Sequence, residues 1–296
     1  MNMQMIGDAD LVREIGRRLD EKNASLRELE FMTKKLTDLN QRLIEMDSVK
    51  TRFLSLIKNE FNNPISSVLN LCNLLLSKKH PEKHDEIVKM AHMELLRLDF
   101  QVKNIIAASE IEAGHTENYF SRITLTSILD EVLLSFGYLM ADKNLSLEVK
   151  DEIGEPIVSD SQKLYLILLN LISNACEFSF RDQKIVVRFA REGEMLVLEV
   201  QDTGESIDVV HKLSVYNRFT QYSKGLTRPH TGLGLGLSVA KGMVEALNGA
   251  IDFESQEGGV TTFVVHLPLV DPAMCASSSE SSGEFLFDDF DSAVEM

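Results

Sequence analysis

The sequence predicts an α-helical N-terminal part, followed by an α+β part in which helices cover one face of a mixed β-sheet. The helical part is indicated by apolar residues at heptad spacing, and by the absence of proline between Leu11 and Leu76 except at Pro64. The α+β part is indicated by alternating apolar and polar residues in strand-length segments after residue 121. We therefore expect four regions: a coiled-coil helix at 1–49, a helical hairpin at 50–115, an α/β sandwich at 122–269 and a disordered acidic tail at 270–296.

Composition narrows the classes of function. The chain has 296 residues, of which 44% are hydrophobic, so it has the length and the apolar content for about two folded domains. Its net charge of -16 argues against a surface for nucleic acid or for an anionic membrane. There is no run of about 18 apolar residues, and the three cysteines match no metal or disulfide spacing. We expect a cytoplasmic protein without a membrane span.

The first helix has the heptad repeat of a coiled coil. Its apolar residues at this spacing are Leu29, Met32, Leu36, Leu39, Leu43, Met46 and Phe53, and Lys50 is the polar exception. The pattern also suits one long amphipathic helix packed on its own domain. We favour a homodimer, because nothing before residue 50 offers an intramolecular partner of similar length.

A polar turn around Pro81 predicts the end of the first helix. A second helix is expected to run to about Ala113, with Gly114 as its C-cap. Two long helices joined by a short turn form a helical hairpin, and two such hairpins from two chains form a four-helix bundle.

The sandwich is predicted segment by segment. Helices are expected at 125–140, at 160–178 and from about 234, and strands at 145–149, 184–189, 195–200, 251–254 and 261–267. Residues 191–194 predict a hairpin turn, whereas 114–121 reads as a polar join. In the tail, aromatic and acidic residues at 285–290 suit a docking motif and a solubilising segment equally well.

The segment from Phe53 to Pro64 combines an apolar helical stripe with two amide side chains, those of Asn59 and Asn63. Pro64 leaves the carbonyl of Glu60 without its helical donor, which predicts a kink just after Asn59. Asn59 and Asn63 are one turn apart, so their side chains project from about the same face of the helix.

Three further sequence elements point to a ligand site. In the first two, polar side chains lie on a predicted helix and at the end of a predicted strand. Asn170 and Asn174 are four residues apart on one helical face, and paired carboxamides suit coordination of Mg²⁺ and phosphate through oxygen. Asp202 ends a strand, where it is placed to accept a hydrogen bond from a ligand amine. Gly204, two residues later, permits close approach of the backbone.

The third element has alternate glycines at the start of a helix, namely Gly232, Gly234 and Gly236. Free N–H groups and the positive end of the helix dipole favour phosphate at such a position. A dinucleotide-binding motif does not explain this element, because the preceding strand and the ribose-binding acid are missing.

These elements, in this order, resemble the N, G1 and G2 boxes of the ATP-binding domain that sensor histidine kinases of two-component systems share with gyrase, a heat-shock chaperone and a mismatch-repair ATPase. Residues 215–219 resemble the F box, and 220–231 the ATP lid. The resemblance implies that ATP and Mg²⁺ are cofactors. By this resemblance, Asn174 would bind Mg²⁺ and Asn170 would assist at the phosphates. Asp202 would hold the adenine amino group, and Gly204 would border the base. The triphosphate would be lined by Gly232, Gly234 and Gly236.

The segment at 53–64 resembles the family's phosphoacceptor box, but Asn59 occupies the position of the histidine. An amide nitrogen is delocalised into its carbonyl and is not a nucleophile, so we expect no conventional autophosphorylation. Two further departures, Glu177 in place of a basic residue and Ser206 in place of a glycine, predict weaker ATP binding.

Two classes of function follow from the resemblance. The first is a pseudokinase, a dimeric regulator that binds a response regulator or pairs with an active histidine kinase. The second retains enzyme activity, either by phosphorylating a partner's histidine in trans or as a response-regulator phosphatase. In the phosphatase, Glu60 and Asn63 would form the family's two-residue motif, and Asn63 would orient the hydrolytic water.

Overall fold

The computed structural model describes residues 8–77, 81–208, 212, 214–219, 232–256 and 259–270. The chain separates into two units, Met1–Lys58 and Asn59–Met296. Helix α1 spans Asp8–Leu76 and contributes to both units, as the sequence predicts for a single long helix. The predicted ATP lid and most of the acidic tail lie outside the described residues.

The first unit leaves its apolar heptad residues uncovered. Leu29, Met32, Leu36 and Leu39 are exposed, and Leu29 retains 67% of its accessible surface. The side chains of Leu43, Met46 and Phe53 lie outside the described residues. Exposed apolar surface at heptad spacing is what a coiled-coil partner would cover, and the coiled coil itself stays a prediction.

The second unit opens with a helical hairpin. After α1, a short 3₁₀ turn at Pro81–Lys83 leads into α2, His84–Ala113. Gly114 ends α2 in the left-handed conformation predicted for its C-cap, with φ of 72°. Helix α1 continues through Pro64, so the predicted kink near Asn59 does not interrupt it.

The α/β sandwich contains two sheets. In chain order its elements are β1 Phe120–Ile123, α3 Leu125–Lys143, β2 Ser146–Asp151, β3 Ile157–Asp160, α4 Ser161–Phe178, β4 Lys184–Glu192, β5 Met195–Thr203, α5 Gly236–Ala246, β6 Ala250–Ser255 and β7 Val260–Pro268. The large sheet has the order β2-β4-β5-β7-β6, and within it β2 and β4 are parallel while the other pairs are antiparallel. The predicted mixed order and the hairpin after Glu192 are confirmed.

The small sheet was not expected from the sequence. Strand β1 pairs antiparallel with β3, and β1 lies partly within the segment read as a polar join. Each strand has only four residues, too few for an alternating pattern to stand out. This sheet places Asp160, the last residue of β3, at the start of α4.

Helix α4 forms the centre of the core. Leu164, Leu168 and Ile172 have no exposed surface, and neither do Val187 and Val200 of the large sheet. Full burial of such a side chain contributes about 1.5–3 kcal/mol. The core therefore fixes which face of α4 meets the sheet.

The hairpin helix α2 packs on the sandwich. Phe100 meets Phe136 of α3 edge to face, with ring centroids 5.7 Å apart. Lys103 donates to the hydroxyl of Tyr165 on α4 at 3.1 Å. A Cβ at position 242 of α5 would lie 2.5 Å from Ile111 Cδ1, so glycine there permits close helix packing.

A buried ion pair fixes the start of α4. The Oδ1 atom of Asp160 accepts from the backbone N–H of Lys163 at 3.0 Å and caps the helix. Its Oδ2 atom accepts from the Lys163 ammonium at 2.8 Å and from the Tyr119 backbone N–H at 2.9 Å. The same ammonium donates to the carbonyl of Glu117. One pair thus joins the chain before β1 to α4.

We predict that Lys163→Met lowers the free energy of unfolding by about 3 kcal/mol, because it leaves the buried Asp160 carboxylate without its cation. Urea unfolding of the full chain measures this loss. The matched control is Lys184→Met, which removes an exposed partner of Glu148 and should cost at most about 1 kcal/mol. Equal losses in the two variants would contradict the structural role of the buried pair.

Candidate functional site

A cavity of about 510 Å³ lies between α2, α3, α4 and the glycine-rich segment before α5. Of the site residues predicted from the sequence, five line this cavity: Asn174, Asp202, Gly232, Gly234 and Gly236. The three sequence elements singled out above are therefore brought to one place. The volume falls in the range of small-molecule and cofactor sites.

The two asparagines of α4 have different positions. Asn174 is half-buried and faces the cavity, whereas Asn170 is buried behind Gly236. Asn170 donates through Nδ2 to the Leu166 carbonyl at 2.9 Å, and its Oδ1 has no hydrogen-bond partner among the described residues. A Cβ at position 236 would lie 2.7 Å from that oxygen. A side chain at 236 would therefore displace this amide, and the glycine permits its present position.

The glycine-rich segment ends where α5 begins, at Gly236, two residues after the predicted start. The first N–H groups of a helix have no intrahelical acceptor, and the first two residues of α5, Gly236 and Leu237, line the cavity. The carbonyl of Gly234 accepts from the backbone N–H of Phe219 at 2.9 Å. This bond joins the F-box segment to the glycine-rich segment.

Asp202 is buried in the cavity wall with 4% of its surface exposed, opposite Thr261 of β7. Burial raises the pKa of its carboxyl to about 7, and the nearby Lys143 ammonium opposes this rise. A carboxyl with such a pKa is easily neutralised and gains from a ligand that donates hydrogen bonds to it.

Gly204 does not line the cavity, and its surroundings give a structural reason for the glycine. A Cβ at this position would lie 2.0 Å from the carbonyl oxygen of Phe178, at the end of α4. The N–H of Gly204 donates to the Gly259 carbonyl at 2.6 Å. The glycine therefore permits the end of β5 to pass close to the end of α4.

Lys143, at the end of α3, is a cavity residue that the sequence did not reveal. Its ammonium donates to the backbone carbonyls of Glu177 and Ser179, the latter at 3.0 Å. Burial lowers its pKa, and the charge of Glu177 opposes this effect. Lys143 thus brings a positive charge to the site where Glu177 replaces the family's basic residue. No motif marks it, because a lysine in the last turn of a helix is common.

The phosphoacceptor-like segment is accessible. Asn59 and Asn63 are both exposed on α1, while Pro64 of the same helix is buried. Glu60 accepts a hydrogen bond from the Nε2 of Gln101 on α2 at 2.8 Å. The two hairpin helices are therefore joined directly beside Asn59.

Among the residues that the structure describes, no group of three or more His, Cys, Asp or Glu side chains could hold a metal ion. No described helix is both long enough and apolar enough to cross a membrane.

Comparison with known proteins places this cavity in a family context. Residues 159–271 match the family described as histidine kinase-, DNA gyrase B- and HSP90-like ATPase. An uncharacterized sensor-like histidine kinase of Rhizobium meliloti is 33% identical over 75% of this chain and 43% of its own length. The histidine kinase BarA of Escherichia coli is 27% identical over 86% of this chain and 29% of its own length. The chain thus spans less than half the length of these relatives.

Solved structures share the fold. The histidine kinase AdeS of Acinetobacter baumannii superposes with a TM-score of 0.50 at 18% identity, over 72% of this chain and 98% of that one. Full-length ShkA, solved in complex with AMPPNP, gives a TM-score of 0.53 at 22% identity, over 73% of this chain and 45% of that one.

Asp202 generates a pH-dependent prediction. Its folded-state pKa of about 7 lies above the ordinary 3.8, so the folded state retains a proton that the unfolded state has lost. This group therefore removes stability as the pH rises from about 4 to 7. We predict that the free energy of unfolding of Asp202→Asn, relative to that of wild type, rises by about 2–3 kcal/mol as the pH increases from 5 to 8. Urea unfolding measures this change.

The control for this experiment is Asp252→Asn. The exposed Asp252 carboxylate bonds to Lys212, which lowers its pKa, so its small contribution is lost as the pH falls instead. A pH-independent difference between Asp202→Asn and wild type would contradict the raised pKa of Asp202.

Proposed function

Because this chain belongs to the sensor histidine kinase family, we propose that it is an ATP-binding, dimeric regulator of two-component signalling that lacks autophosphorylation. The cavity is the observation that supports the nucleotide part of this proposal. It unites an amide from α4, a buried carboxyl on β5 and glycines at the start of α5. The family resemblance assigns these three to the Mg²⁺, the adenine amine and the phosphates, respectively.

The groups present fit Mg²⁺ and a nucleoside triphosphate. The amide of Asn174, which lines the cavity, supplies the kind of oxygen that magnesium and its water ligands prefer. The N-terminus of α5 favours negative charge. When bound, Mg²⁺ would neutralise charge on the phosphates. Lys143 adds a further positive charge beside Glu177, which offsets the repulsion expected from that acid.

The absence of autophosphorylation follows from Asn59. This position is exposed, as a group that receives phosphate must be, but a carboxamide has no nucleophilic nitrogen. The described histidines are not surrounded by the residues of the phosphoacceptor box, and one of them, His92, lies on α2. We infer that the chain binds a response regulator or an active histidine kinase through its hairpin and leaves phosphotransfer to that partner.

The homodimer is supported by apolar residues that remain exposed on the hairpin. They are Ile65, Leu69, Leu74 and Leu76 on α1, and Val88, Met90, Leu95, Val102 and Ile106 on α2. Three of the α2 residues are seven positions apart, so they lie on one face of the helix. Burial of this face against a second copy would give the four-helix bundle expected for the family.

Binding and phosphorylation assays on the full chain test the nucleotide site and the absence of autophosphorylation. The mass of the full chain in light scattering tests the homodimer. We expect the wild type to bind ATP with Mg²⁺ by calorimetry but to form no acid-labile phosphate from labelled ATP. Asn59→His restores the nucleophile, and we expect it to gain acid-labile label because the ATP site is retained.

The matched control is Asn62→His, which puts an imidazole three residues away on the same exposed turn. It should remain unlabelled. Acid-labile phosphate on the wild type would refute the proposed silent position, and failure of the wild type to bind ATP would refute the nucleotide site. Binding without labelling of Asn59→His would show that the site holds ATP without transferring its phosphoryl group.

A second candidate, a response-regulator phosphatase, is favoured by the contact at Glu60. The bond from Gln101 fixes the carboxylate beside the exposed Asn63, the amide that would orient a hydrolytic water. The third reading, phosphorylation of a partner's histidine in trans, needs the ATP site but not the Glu60 and Asn63 pair.

For the phosphatase, we predict that the wild type accelerates loss of phosphate from a cognate phosphorylated response regulator. Asn63→Ala should slow this loss at least tenfold, since misplacement of a reactant can cost about 10²-fold. Asn62→Ala, an exposed neighbour, is the control and should retain the wild-type rate. Equal rates with and without the wild-type chain would exclude the phosphatase and favour the regulator.

A further inference from the structure

One wall of the cavity comes from the hairpin rather than from the sandwich. It is formed by residues of α2 that recur at intervals of about one helical turn, namely Leu96, Arg97, Phe100, Gln101 and Asn104. Arg97 is the one charged residue among these five. A ligand in the cavity would therefore meet a cation that belongs to the hairpin.

The charged side chains that line the cavity are mostly acidic. Among the described residues they are four acids and two bases, namely Glu177, Asp202, Glu205, Asp208, Arg97 and Lys143. A nucleoside triphosphate adds several negative charges to these acids. Its binding therefore depends on cations whose donors are free to meet the phosphates.

The two cations differ in the acceptors that they already have. The Lys143 ammonium donates to the backbone carbonyls of Glu177 and Ser179, so its charge is present but its donors are largely used. The guanidinium of Arg97 has neither a hydrogen bond nor an ion pair within the part of the chain that the structure describes. Its side chain is half-buried, so its N–H donors remain available to a ligand.

The charge of Arg97 acts on a second cavity residue, Tyr138 of α3. Burial raises the pKa of the Tyr138 hydroxyl, and the positive charge of Arg97 opposes this rise. The carboxylate of Glu177 acts on the same hydroxyl. Arg97 therefore lies on the Tyr138 side of the cavity together with Glu177, which follows Asn174 on α4 by about one helical turn.

On the basis of the proposed nucleotide site, we propose that Arg97 of α2 is a ligand-binding residue that holds a phosphate group of Mg²⁺-ATP. A guanidinium can donate two parallel hydrogen bonds to one phosphate, which an ammonium cannot do. The acidic cavity then has a cation for the triphosphate although Glu177 carries a negative charge on α4. The sandwich and the hairpin share one binding site.

Such a contact couples the nucleotide to the position of the hairpin. A phosphate held by Arg97 favours the arrangement in which α2 is packed on α3 through Phe100 and Phe136. By linkage, this packing favours the bound triphosphate by the same factor. Adenosine has no phosphate, so its binding does not depend on Arg97.

The variants separate phosphate binding from packing and from net charge. Arg97→Met removes the guanidinium at similar length, and its Kd for Mg²⁺-ATP should rise about ten- to a hundredfold, as expected for a lost hydrogen bond to a charged group. Its Kd for adenosine should be unchanged. Arg97→Lys retains the charge without the paired donors and should recover part of the affinity. Lys89→Met removes one charge from an exposed position of α2 and should bind ATP as wild type does.

Binding is measured by calorimetry on the full chain with ATP, ADP and AMP, each with Mg²⁺, and with adenosine, by competition where a probe binds weakly. A loss of affinity confined to ATP assigns Arg97 to the γ-phosphate. A loss shared by ATP and ADP assigns it to the β-phosphate, and a loss shared by all three nucleotides assigns it to the α-phosphate.

The inference is overturned if the wild type binds Mg²⁺-ATP and Arg97→Met binds it with the same Kd, in which case the proposed ATP site stands without Arg97. Equal weakening of ATP and adenosine would assign Arg97 a structural role and would also overturn it, as would an equal loss in Lys89→Met. A wild type that fails to bind ATP overturns both proposals together.

Discussion

The orientation of helix α4 is the constraint on which the rest of the structure depends. Its apolar face has no exposed surface, so close packing against the large sheet fixes the rotational orientation of the helix about its axis. In this orientation Asn174 lines the cavity and Asn170 lies against Gly236. The start of the helix is fixed by the buried pair of Asp160 and Lys163. Its end is fixed by Lys143, which donates to the Glu177 carbonyl.

Charge in the cavity is balanced by groups that are far apart in sequence. Glu177 and Asp202 are acids in the wall of a site that the family uses for a triphosphate, and burial already disfavours ionised Asp202. Lys143 opposes both effects, since it raises the local positive potential and favours the charged form of Asp202. The site thus retains a cation although the basic residue of the N box is missing. In this respect the chain has kept the features of a nucleotide site.

Much of the fold was predictable because the spacing of apolar residues along the chain indicates which face of each helix or strand is buried. The long helices, the strands of the large sheet and the C-cap at Gly114 agree with the sequence prediction to within a few residues. The strands β1 and β3 were missed, since four residues are too few to show alternation, and the start of α5 was misplaced by two residues within its run of glycines. The contact of Gln101 with Glu60 joins residues 41 positions apart, and no local pattern reports such a pairing.

The sequence by itself determined the kinds of group at the site, and it predicts a phosphoacceptor-like position without a nucleophile at Asn59, because motif residues and a single substitution are local properties of the chain. The tertiary structure decided which of those groups share a cavity. It placed Asn170 and Gly204 behind the wall, where their contacts are with Gly236 and Phe178. It also brought in Lys143, Gln101 and Asn104 from two other helices. The physical reason is that a cavity wall is made by packing between distant segments, which only the folded chain brings together.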